Sequence, residues 1–408
     1  MTIRRRDFLK AAVGTPALLS FGSFVPPVLL RAAASAASHS DRPTALVVLQ
    51  LSGGNDGLNT VVPFSDDQYG RNRRTLRLTA SEVLKIDDHL GFHPAMEGMA
   101  RLLAEGRLSV IQGVGYEAND RDHEVAMRDW HTARPGDTGC ETGWLGRAID
   151  SVEGPARIGA PGVFVGPIPK PVGMTAQRSV VPHVRSLDDM TLAGPVAAGE
   201  AVGDLPASDN PLLEHVCRGA VAARLGSRQV QDVLQASATG GRYPDFPLAG
   251  QLKLIAELIR ADLGIRIFFA ELGGGGIGGF DNHANQRDNH ASLLAQLSAA
   301  VTALIDDLVQ AGLADRVALM TFSEFGRTLA ENGRRGTDHG AAAPVLLAGG
   351  RLRGGLIGKH PDLTDLDADS PRPHTDFRRV YATLLDQWLG FDSRKILGRQ
   401  FEPLNVVG

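Results

Sequence analysis

Cysteine is nearly absent. The 408-residue chain carries two, Cys140 and Cys217. That excludes a disulfide-stapled scaffold; the pair reads either as one bridge or as two buried thiols. An excess of one charge is missing too. Lys and Arg number 42 against 46 Asp and Glu, for a formal net charge of −4. No global basic field points to nucleic acid. Beyond the first 40 residues nothing reads as an unbroken apolar span of the roughly 20 residues that a membrane helix needs. No internal repeat is evident. What remains is globular composition, 43% hydrophobic and 22% charged, with ample length for a large core.

The N-terminus is the exception to this even texture. Arg4, Arg5 and Arg6 precede Asp7, Phe8, Leu9 and Lys10. Arg5-Arg6-x-Phe8-Leu9-Lys10 matches the twin-arginine export pattern. A weakly hydrophobic stretch (11–30) follows, broken by Gly14, Pro16, Gly22, Pro26 and Pro27, and then small residues with Ala34-x-Ala36 as a cleavage zone. The expectation is a leader over 1–36, a single α/β domain over 43–408, transit through the twin-arginine translocase, and a periplasmic or otherwise exported protein.

Along the rest, apolar runs alternate with helical patterns. Runs at 45–51, 108–112, 265–272, 316–322 and 343–349 predict strands, with a strand-like piece at 162–166. Segments 94–105, 124–132, 248–263, 289–311 and 376–389 predict helices, as does 210–234. Periodicity weakens over 134–250, which predicts an inserted cap. The fold class expected is α/β, a parallel-rich sheet sandwiched between helices.

Chemistry-bearing residues gather at the ends of these runs. Asp56 follows the first strand in Ser-Gly-Gly-Asn-Asp-Gly (52–57). Asp281 and His283 follow a glycine run, spaced so that an extended chain puts both on one side. Asn285 and Gln286 stand ready as donors to such ligands. Glu324 and Arg327 follow the strand ending at Phe322, and His339 lies between Asp338 and Gly340. Mixed carboxylates and imidazoles suit a divalent metal: zinc or manganese first, calcium or magnesium also. Arg327 offers a planar fork to phosphate or sulfate. Asp122, His123 and Glu124 open a helix, where a nucleophile gains from the helix field and where Asp122 equally serves as an ordinary cap.

These motifs resemble the twin-arginine-exported bacterial family known as domain of unknown function 1501, grouped with the alkaline-phosphatase-like superfamily. The resemblance rests on stretches 51–63, 91–95, 114–116, 130–133, 280–283, 323–328, 337–340 and 376–381, and so covers nearly all of the chain after the leader. It implies an alkaline-phosphatase-like fold in which Asp56, Asp281, His283, Glu324 and His339 match the superfamily's metal ligands. The superfamily's usual Asp-His pair appears here as Glu324 without an adjacent histidine. Its Ser, Thr or Cys nucleophile falls where this chain reads Asp122-His123-Glu124.

The function expected is an exported metal-dependent hydrolase of phosphate or sulfate esters. Asp122 or water would attack, and Arg327 would stabilise the charge that develops. The rival reading is a non-catalytic, metal-stabilised envelope protein that binds polysaccharide or an anionic ligand. A scaffold partner of another exported protein, using 134–250 as its interface, is a third.

Overall fold

The computed structural model describes residues 43–152, 161–179, 181–185, 241–274 and 279–408. The leader expected over 1–36, the helix expected over 210–234 and Cys217 lie outside them. Cys140 is a free, buried thiol.

Among the described residues nine strands form one sheet: β1 (Ala45–Leu51), β2 (Leu108–Gly115), β3 (Gly162–Val165), β4 (His183–Val184), β5 (Ile267–Leu272), β6 (Val317–Phe322), β7 (Ala343–Gly349), β8 (Gly355–Ile357) and β9 (Thr375–Asp376). Their order is β8-β2-β7-β6-β1-β5-β3-β4, with β9 beside β2. β7 runs antiparallel to β6 and β2, and the other pairs are parallel. The sheet is therefore mixed and parallel-rich, as the alternating pattern predicts.

Six of the seven residues of β1 are apolar, which burial on both sides explains; the seventh, Gln50, is buried too and is hydrogen-bonded to Ser52 and His131. Val47, Leu49 and Leu51 face one core, built with α1 (Glu97–Ala104), α4 (Pro247–Arg260) and α5 (Gln286–Gln310). Leu46 and Val48 face the other, with α2 (His123–Thr132), α3 (Trp144–Ser151) and α6 (Phe377–Thr383). A strand covered on both faces has no polar side to show. The second core also holds the aromatic stack: Trp130 lies flat between Phe322 at 5.5 Å and Phe377 at 4.4 Å.

Several boundaries differ from expectation for local reasons. The 94–105 pattern splits into a tight turn at Pro94–Met96, capped by the His93 ring accepting from the Ala95 amide, and then α1. Helix α5 starts earlier than its apolar periodicity, at Gln286, because Asn285 turns the chain with a left-handed φ of 46°. This helix is long and apolar enough to cross a membrane. Here its Leu294, Leu297, Val301 and Leu304 are wholly buried in the first core. The segment expected as a cap contributes β3 and β4 to the main sheet, so its described parts widen the sheet; 153–160, 180 and 186–240 lie outside the described residues.

Three buried histidines set a pH dependence. Burial pushes His131 and His290 down to about 3 and His93 to about 4, from 6.5. His131 donates its Nε2 hydrogen to the Gln50 amide oxygen at 2.7 Å, which suits a neutral ring. Below pH 6.5 the unfolded chain takes up a proton on each ring that the folded chain refuses. Stability is thus complete above pH 6.5 and falls as pH drops, by about 1.4 kcal/mol per unit per histidine. Urea titrations at pH 6 and pH 5 should show a large fall in midpoint. A midpoint unchanged across that interval would refute the assignment.

Candidate metal centre

Because β7 runs against its neighbours, its N-terminus lies at the same edge as the C-termini of β1, β2, β5 and β6. Four loops and the start of α2 meet there, where open α/β sheets place their ligands. Glycine makes the meeting possible. Gly53 sits at φ +112°, and a Cβ on it would stand 2.5 Å from the Asp281 amide nitrogen.

Asp281, His283 and His339 come together directly. Asp281 Oδ1 lies 3.0 Å from His283 Nε2 and 3.3 Å from His339 Nε2, and the two Nε2 atoms are 2.9 Å apart. His123 joins on the Asp281–His339 edge. Its Nε2 is 3.5 Å from Asp281 Oδ1, and one ligand atom from each of His123, Asp281 and His339 falls within 4.8 Å of the others.

The partners of the opposite ring nitrogens fix which atoms carry hydrogen. His123 Nδ1 faces Glu324 Oε1 at 2.9 Å, His283 Nδ1 faces Asp338 Oδ1 at 3.0 Å, and His339 Nδ1 faces the Arg121 carbonyl at 2.5 Å. Carbonyl and carboxylate oxygens only accept, so each Nδ1 donates and each neutral ring turns an Nε2 lone pair toward Asp281. Lone pairs this close repel unless a proton or a metal ion lies between them. His123 Nε2 is buried and has no hydrogen-bond partner among the described residues. A tetrahedral ion with bonds of about 2.0–2.1 Å spaces its ligand atoms by about 3.3 Å. The Asp281–His283–His339 face, with edges of 2.9 to 3.3 Å, fits that spacing. An oxygen–carbonyl or carboxylate partner on the far nitrogen is also how metal-binding histidines are oriented.

The electrostatics of Asp281, Asp338 and His339 agree, while that of His123 favours the protonated ring. Burial alone would raise the Asp281 carboxyl, but the hydrogen bond and charge of Arg327 hold it below its usual value. Burial lowers His339. The Glu324 hydrogen bond raises His123, against the effect of burial. Burial would raise Asp338 as well, yet hydrogen bonds from His283 and Asn332, with the charges of His283 and Arg334, hold it low. The four candidate ligands are 22% to 36% exposed, which leaves the cluster open to a small molecule.

Other expected site residues sit elsewhere. Asp56 is buried in an ion pair, accepting from Arg73 Nη1 at 2.5 Å and from the Gln286 amide. Burial works to raise its pKa, and Arg73 overrides that and holds it low. Asp56 therefore belongs to the wall behind the cluster, linked to it through Gln286 and Thr337. Glu324 turns its Oε1 to His123 and to the Gly53 amide at 2.9 Å, so it orients the His123 ring. Arg327 is fully buried. It donates to the carbonyls of Gly53, Gly54, Phe280 and Thr337 and to Asp281 Oδ1 at 2.7 Å. It ties the loops together and offers no fork to a ligand. Asp122 caps α2, accepting from the amides of Glu124 and Val125. Sequence reasoning missed Arg73, whose only trace was a basic run at 71–77, and placed His123 with Asp122 for attack chemistry, not with the Asp281–His339 cluster. A separate cleft lined by Gly57, Gln112, Pro344 and His360 shares no residue with the cluster.

The fold and site define a mixed, parallel-rich α/β protein with a histidine–aspartate centre at its strand ends. The chain belongs to the family described as protein of unknown function (DUF1501), whose model matches residues 43–402. No curated protein matches the sequence. Among solved structures it is similar to a protein in the alkaline phosphatase superfamily from Vibrio parahaemolyticus, at 11% identity over 91% of this chain and 77% of that one, with a TM-score of 0.37. It is also similar to the C-terminal periplasmic domain of EcEptC from Escherichia coli in complex with Zn, at 10% identity, 76% and 74% coverage and a TM-score of 0.35. A third is the soluble domain of lipooligosaccharide phosphoethanolamine transferase A from Neisseria meningitidis, at 11% identity, 76% and 78% coverage and a TM-score of 0.34.

Proposed function

We propose that this protein is an exported metal-dependent hydrolase of phosphate or sulfate esters. The observation that carries the reading is the convergence of three Nε2 lone pairs on Asp281 Oδ1 in a partly open site. His123, Asp281, His283 and His339 would hold the ion. A bound divalent ion supplies positive charge that polarises an ester oxygen. Asp338, Glu324 and the Arg121 carbonyl keep the three rings in the tautomer that binding needs. Arg327 keeps Asp281 ionised and the Gly53–Gly54 turn closed against it. Water is the attacking group, because Asp122 is committed to the helix amides and the buried Nε2 of His123 faces Asp281.

The same commitment of Asp122 and Arg327 favours a second reading, a non-catalytic envelope protein that uses its metal for shape and binds polysaccharide or an anionic ligand. A panel of phosphate and sulfate esters separates the two. Zinc- or manganese-loaded protein should turn over at least one, and chelated protein and Asp281→Asn should turn over none. A loaded protein inert toward the whole panel favours the binding module.

Export rests on the leader sequence. Arg5→Lys with Arg6→Lys should abolish periplasmic accumulation of the mature chain. Undiminished periplasmic yield would remove that part of the proposal.

A further inference from the structure

A basic face borders the histidine cluster, and it is assembled from three separate segments. Residues 71–77 include Arg71, Arg73, Arg74 and Arg77. Arg73 points inward, donating to the carbonyls of Thr328 and Leu329, and so pins this segment to the loop beyond β6. Arg74 and Arg77 point outward. Glu331 fastens the same contact from the other side, taking the Thr75 and Leu76 amides and the Thr75 hydroxyl. Its carboxylate is thereby spent on backbone. The loop then passes Arg334 and Arg335, whose carbonyls accept from the amides of Asn285 and Gln286 at the start of α5. Arg287, one residue on, donates to the Thr75 carbonyl at 3.4 Å and to Glu82 at 3.2 Å.

The loop is also the wall of the site. Asn332 donates to Asp338 Oδ1 and to the His283 carbonyl, both at 3.1 Å. Arg334 is near enough for its charge to act on Asp338. Three exposed guanidinium groups, those of Arg74, Arg77 and Arg334, make no hydrogen bond or ion pair to the described residues. The acids on this face are largely engaged: Asp67 with Arg71, Glu82 with Arg287, Glu331 with backbone. Asp288 remains exposed in the first turn of α5. In a chain of net charge −4, such a concentration of unspent arginine is local.

We infer that Arg74, Arg77 and Arg334 form a binding face for an extended anionic chain bearing repeated sulfate or phosphate groups. Planar guanidinium forks suit such groups, and separate arginines suit a ligand that repeats its charge. Resting on the hydrolase reading, the face would bring one ester of that chain to the His283–His339 edge while neighbouring groups lie along the arginines. This makes a polymer a better substrate than a small ester of the same chemistry.

The test measures binding of the full mature protein to dextran sulfate and to polyphosphate, with neutral dextran as reference, by fluorescence anisotropy at 50 and 200 mM salt. Wild type should bind at least one polyanion, more weakly at the higher salt, and should ignore neutral dextran. The triple variant Arg74→Ser, Arg77→Ser, Arg334→Ser should bind about tenfold or more weaker, with unchanged metal content and melting temperature. A control triple, Lys170→Ser, Lys253→Ser, Lys395→Ser, removes equal charge elsewhere and should bind as wild type does. Equal loss in both triples, no loss in the arginine triple, or no preference of wild type over neutral dextran each overturns the inference. Dextran sulfate against polyphosphate tells which group is favoured. Binding is scored without turnover, so polyanion binding by a protein inert on every ester would fail the hydrolase reading and leave this face standing.

Discussion

Replacing His339 or His283 by alanine should lower zinc affinity by about a hundredfold or more, and Asp281→Asn should do the same. Each histidine variant removes one donor from a face whose edges are 2.9, 3.0 and 3.3 Å, and the asparagine leaves an oxygen there without the carboxylate charge. The effect should be graded outward. Glu324→Ala and Asp338→Ala leave every donor in place and free only the far nitrogen of a ring, so about tenfold to a hundredfold is expected. Asp281 also pairs with Arg327, and its variant tests two things at once. The histidine variants test one, and a melting curve on each separates lost metal from lost fold. Wild-type affinity in both histidine variants would mean that the three rings meet for another reason.

The second large effect lies behind the site. Arg73→Met should destabilise the fold by about 3–5 kcal/mol, because it strands the buried Asp56 carboxylate. Asp56 and Arg73 are both almost wholly inaccessible, and the Gln286 amide cannot neutralise the charge left over. Combining Arg73→Met with Asp56→Leu should recover part of the loss, since paired removal leaves no orphan charge. Urea midpoints of the two singles and the double form the check. The same series decides the place of Asp56. A structural Asp56 gives a large midpoint shift, whereas a metal-ligating Asp56 would give lost metal content with an intact midpoint.

Much of this was legible in the sequence. Runs such as Ala45–Leu51, apolar but for Gln50, announce strands covered on both faces, and they were. Asp281, His283 and His339 announced themselves as ligand types beside glycines at strand ends, and the fold brings them together. Less legible was how each carboxylate would be used. Glu324 and Asp56 carry the same chemistry as Asp281 in one dimension. Only packing decides that one orients His123, another answers Arg73, and the third meets three imidazoles. A fully buried arginine leaves no pattern of its own, which is why Arg73 and the internal role of Arg327 were invisible. His123 was singled out beside Asp122 for attack chemistry, and only the fold shows its ring turned toward Asp281 and His339.

Elemental analysis after equilibrium dialysis of the full mature chain against zinc and, separately, manganese tests the central claim most directly. The convergence of His123, Asp281, His283 and His339 predicts at least one divalent ion retained per chain after exhaustive dialysis into metal-free buffer. A folded protein that emerges metal-free from saturating zinc and saturating manganese would contradict it.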